Sequence, residues 1–81
     1  MFENTIKFKI DTDGNTDMKA ALFEVYNALV EKGYDPINQI LGYILSEDPT
    51  YITNYKNART LIRKIDRDEL LQELLRHYLN V

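Results

Sequence analysis

Two Asp-Pro steps, Asp35-Pro36 and Asp48-Pro49, constrain this chain more than any other feature. Proline has no amide hydrogen, so a helix accepts it in the first turn and nowhere later. An aspartate directly before it is a good N-cap. Each step therefore predicts the start of a helix or helical turn and forbids a helix from running through it. Gly33, just ahead of the first step, is a natural C-terminal stop. A chain punctuated in this way has to fold from several short helices.

Between those marks the apolar residues recur at helical spacing. Thr16 is a predicted N-cap, followed by Met18, Leu22, Val25, Tyr26 and Leu29 on one face. Ile37, Ile40, Leu41, Ile44 and Leu45 make the face of a second helix, and Gly42 inside it predicts a close helix crossing. Asp48-Pro49 opens a short turn through Tyr51 and Ile52. Asn54 caps a third helix with Tyr55, Ala58, Leu61, Ile62 and Ile65 on its face. The run from Asp66 to Glu69 has capping-box spacing with Asp in the leading place. The last helix carries a stripe of leucines wider than one face. The expected fold is all-α, a compact bundle of four to five short helices over residues 16–81. Residues 1–15 are expected to form an extended, flexible N-terminal tail. Eighty-one residues give one domain with a small core, a size at which association often supplies missing burial. The broad stripe accordingly predicts a homodimer with contacts at Leu70, Leu71, Leu74, Leu75 and Tyr78.

The chemistry-bearing residues exclude more than they suggest. The chain has no cysteine, so neither a disulfide framework nor a thiolate metal site is available, which fits a reducing, cytoplasmic setting. No segment approaches the roughly 18 apolar residues of a membrane span. Asp11, Asp13, Asn15 and Asp17 occupy positions 1, 3, 5 and 7 of a calcium loop, but the glycine, Gly14, falls at position 4 instead of 6, and Leu22 stands at position 12 where a bidentate Glu is needed. His77 is the single histidine and Ser46 the single serine, with no nucleophile motif around either. The expectation is therefore no metal, no cofactor and no enzyme. Formal charge is −3 overall, yet residues 54–67 hold Lys56, Arg59, Arg63, Lys64 and Arg67 against Asp66 alone. Lys56, Arg59, Arg63 and Arg67 form a candidate basic face for a phosphate group or a partner. A helix-turn-helix-like DNA reader using this segment is the alternative, disfavoured because an acidic protein releases few counterions from DNA.

The opening stretch TIKFKIDTDG is different in kind. Ile6, Phe8 and Ile10 alternate with Lys7, Lys9 and Asp11, the period of a half-buried strand. Thr5 at its head is open to a kinase, and phosphorylation would add about −1.5 to −2 charges there.

Two longer runs carry a resemblance: EKGYDPINQILGYILSEDPTYI, and NARTLIRKIDRDELLQELLRHYL. Over nearly its full length the chain resembles the IreB family of Gram-positive bacteria, with Asp35 in place of the usual Asn and Glu47 in place of the usual Gly. The resemblance implies a small, non-enzymatic, cytoplasmic regulator that is homodimeric and helical with a flexible tail. It implies phosphorylation on a tail threonine, matched here by Thr5, by a membrane Ser/Thr kinase of the PASTA type. It further implies a link to cell-wall synthesis and cephalosporin resistance through regulated proteolysis, with a Clp-protease adaptor or substrate complex as partner. Phe2 stands where some members have a second threonine.

Overall fold

The structure is a computed structural model that describes residues 10–81, with side chains from Asp17 onward. It consists of α1 (Ile10–Glu31), α2 (Pro36–Ser46), single 3₁₀ turns at Pro49–Tyr51 and Tyr55–Asn57, α3 (Ala58–Arg63) and α4 (Arg67–Leu79). All regular structure among the described residues is helical, as the periodicity predicts. Thr5 and the alternating residues Ile6 and Phe8 lie outside the described residues.

The punctuation marks sit where the sequence places them, and each of the three aspartate caps does so through contacts spanning three residues or fewer. The Asp35 carboxylate accepts from the Asn38 amide at 3.2 Å and from the Asn38 side chain at 2.9 Å. Asp48 accepts from the Thr50 amide at 3.0 Å and its hydroxyl at 2.7 Å. Asp66 accepts from the Asp68 amide at 2.9 Å. Gly33 takes φ +85°, which lets the Tyr34 amide turn back to the Leu29 carbonyl at 2.9 Å.

Three local expectations change. Helix α1 begins at Ile10, so Thr16 is inside a helix and residues 10–15 are helical backbone where tail was expected. Gly42 is explained by Tyr51 of the 3₁₀ turn, not by a helix crossing: a Cβ at Gly42 would fall 2.5 Å from the tyrosine ring. Asn54 does not cap the third helix. Lys56 and Asn57 both adopt left-handed backbone, with φ 53° and 63°, and α3 starts only at Ala58. That double turn redirects the chain so that Ala58 and Ile62 face α1, both sealed from solvent.

The core lies between α1, α3 and the inner edge of α2. Val25, Leu29, Ile52 and Ala58 are completely buried, with Ile62 beside them and Tyr43, Ile44, Ile65 and Leu70 closing the edges. Met18, Ala21 and Leu22 pack on it partly exposed. No described charged side chain is buried.

Candidate partner-binding surface

The four basic residues of the expected face do not stand together as one surface. Lys56 precedes α3 and pairs with Glu31 of α1 at 3.3 Å. The Tyr55 hydroxyl donates to the same carboxylate at 2.9 Å, and the ammonium groups of Lys32 and Lys56 lie 5.2 and 5.5 Å from the Tyr55 ring centre. The hydrogen bond from Tyr55, then that from Lys56, holds the Glu31 carboxyl below the usual carboxylate range. The same bond to Glu31 pushes the Tyr55 phenol up. Arg59 donates through Nε to the Ile52 carbonyl at 2.9 Å, tying down the segment between the two 3₁₀ turns. Arg67 donates to the carbonyl of Ile44 and pairs with the Glu47 carboxylate. It thus caps the end of α2 from the first turn of α4, close to a residue held at φ 62°. Only Arg63 has no hydrogen bond or ion pair to another described residue. Three of the four cations are therefore engaged within the fold, Lys56 by a carboxylate, Arg59 by a loop carbonyl and Arg67 by a carbonyl in the last turn of α2, where a guanidinium satisfies an orphan helix acceptor. A six-residue α3 that excludes Lys56 and commits Arg59 to the backbone is not the recognition helix that DNA reading requires.

The leucine stripe divides as well. Leu70 is 4% exposed and belongs to the chain's own core, so it is not available as a dimer contact. Leu71, Leu74, Leu75 and Tyr78 are open, Tyr78 by 88%. Apart from Leu70, no side chain of α4 is buried.

What sequence reasoning missed is where that open surface continues. Ile37, Leu41 and Leu45, expected as core of α2, are 64%, 48% and 77% exposed. Tyr43, left out of the expected face, is buried in their place. On α1, Phe23, Tyr26 and Val30 form a second stripe beside the buried one, with the Phe23 and Tyr26 rings stacked 6.2 Å apart. Between these helices lies an open groove of about 460 Å³ floored by Leu22, Ile40 and Ile44 and closed at one end by Leu74 of α4. Lys19 is the one charged residue lining it. The available signal was the near-continuous apolar run ALFEVYNALV in α1, which exceeds what one buried face needs. Exposed apolar surface of this extent and continuity is the mark of an interface. No helix among the described residues is long and apolar enough to cross a membrane.

The family model described as "IreB regulatory phosphoprotein" matches residues 3–80. A UPF0297 protein of Ruminiclostridium cellulolyticum is 59% identical over 75 residues, covering 93% of this chain and 85% of that protein.

Proposed function

The chain belongs to the IreB family of regulatory phosphoproteins, and on that premise we propose that it is a non-enzymatic, cytoplasmic regulator switched by phosphorylation of Thr5. The observation that carries this reading is the span of the family match, residues 3–80, which takes in Thr5 together with the whole helical body. The kinase is a Ser/Thr kinase of the PASTA type. Its signal passes to cell-wall synthesis and antibiotic tolerance through regulated proteolysis, with the protein as a Clp-protease adaptor or substrate.

The working form is a homodimer. The open face shared by α1, α2 and α4 supports this, since Phe23, Ile37, Leu41, Leu45, Leu75 and Tyr78 are too exposed for a chain that functions alone in water. A face of this kind in an 81-residue protein supplies the burial that its own small core lacks.

The test of the switch is direct. The protein is incubated with the kinase catalytic domain and ATP, and the modified residue is mapped by mass spectrometry. Phosphate on Thr5, abolished in Thr5→Ala, is the expected result. A Thr5→Ala protein that takes up as much phosphate as the parent overturns the assignment.

A further inference from the structure

Helix α1 packs against both α2 and α3, whereas α4 is held to the body mainly through its first turn. There Leu70 sits in the core and Arg67 is bonded to the end of α2. Beyond that turn a gap of about 340 Å³ separates α4 from α1. Exposure then rises along the helix, from 39% at Leu71 to 59% at Leu75 and 88% at Tyr78. These three residues stand at i, i+4 and i+7, within about 60° of one another round the helix. Helix α4 is thus an arm, anchored at one end, with a single apolar stripe that nothing in its own chain covers.

The open groove between α1 and α2 has the dimensions of that stripe. One wall runs from Ile37 through Leu41 to Ile44 and the other from Lys19 to Tyr26. Each wall spans the same helical step as Leu71 to Tyr78, a rise of about 10.5 Å. Apolar anchors at i, i+4 and i+7 are how an amphipathic helix seats in an apolar groove. Lys19 is the one charged residue in the lining, so a helix entering there has almost no charge to strip of water. Of its own α4, only Leu74 lines the groove, at one end. A surface that carries both a projecting stripe and a groove of equal length is complementary to itself about a two-fold axis, each arm filling the other copy's groove.

We propose that α4 is an exchanged arm: Leu71, Leu75 and Tyr78 of one copy occupy the α1–α2 groove of a second copy, and the second copy returns the same contact. This rests on the homodimer reading above and adds to it the element that fills the groove. Leu75 and Leu41 stand at the middle of their stripes, so they oppose each other whichever way the arm runs.

The test places charge at those two positions, both exposed in the single chain, and reads the mass of the full chain by light scattering. The parent is expected to be a dimer. Leu41→Asp, Leu75→Lys and Leu75→Asp should each be monomeric alone, with the helical circular dichroism spectrum of the parent. Mixing Leu41→Asp with Leu75→Lys sets opposite charges together in one of the two contacts and leaves the parental leucines in the other, so a heterodimer should form. Mixing Leu41→Asp with Leu75→Asp opposes like charges and should pair at least about tenfold more weakly. Two mixtures that behave alike, or a Leu75→Lys protein that dimerises like the parent, overturn the arm placement and leave the homodimer reading standing. A monomeric parent overturns both.

Discussion

The face of α1 that meets α3 and the face of α1 that meets α2 are built from the same kinds of residue and come to opposite ends. Val25, Ala28 and Leu29 are sealed against Ile52, Ala58 and Ile62. Phe23, Tyr26 and Val30, more than a third of a turn round the helix, stay open beside an equally open Ile37 and Leu41. Both stripes would gain from burial at about 25 cal/mol per Å². The difference is that the first meets side chains returned to it by the double left-handed turn at Lys56 and Asn57, while the second meets only the edge of α2. One stripe is finished within the chain, and the other stays open to solvent.

Substitutions separate the two. Leu29→Ala removes a completely buried side chain and is expected to cost about 2–5 kcal/mol. Urea denaturation of the protein measures it, and a loss below about 0.5 kcal/mol, the usual range of a surface change, would mean the two faces are energetically alike. Leu41→Asp, on the open face, should leave the helical circular dichroism spectrum intact and convert a dimer to a monomer by light scattering. A dimer of undiminished mass in Leu41→Asp would place the interface elsewhere.

Arg67→Ala tests the link between the two regions, since this side chain joins the start of α4 to the end of α2. Losing a charged hydrogen bond to a helix carbonyl is expected to cost about 1.5–3 kcal/mol. It should also speed amide exchange in the last two turns of α4, which bury nothing beyond Leu70. If phosphate recognition were the role of Arg67, stability and exchange would be unchanged. Glu47→Gly is expected to be smaller, within about 1 kcal/mol of neutral. It relieves a non-glycine residue at φ 62° and gives up an ion pair whose Glu47 side is 65% exposed. A large loss on thermal unfolding would show that the Arg67 pair outweighs the backbone.

The smallest effect concerns pH. The Glu31 carboxyl is held down by Tyr55 and Lys56, so its folded-state pKa lies below its unfolded one. The contribution is present above the ordinary carboxylate range and fades as pH falls through the lowered folded value. The Tyr55 phenol is raised by the same bond, so its contribution is full below the ordinary phenol range and is lost at more alkaline pH. Acidification should therefore loosen the Tyr55–Asn57 turn, visible as faster amide exchange there, and Glu31→Gln should remove that pH dependence. A turn equally protected across the carboxylate range would show that the Glu31 contacts do not hold it.

Caps, turns and the all-helical class were legible because the interactions that produce them are short. Asp35, Asp48 and Asp66 each bond within three residues, and no distant part of the chain enters. The basic face and the dimer contacts were legible only as residue types. Arg59 and Arg67 looked like a phosphate receptor until the carbonyls of Ile52 and Ile44 arrived beside them from 7 and 23 residues away. Leu70 and Leu71 are neighbours in one stripe, and only the angle of α4 puts the first in the core and leaves the second outside. The sequence by itself determined where helices start and stop and which positions are apolar, because cap geometry and helical period are local. Which apolar stripe is buried, and which cations remain available, only the tertiary structure decided, because burial and pairing depend on what a distant stretch of chain brings back.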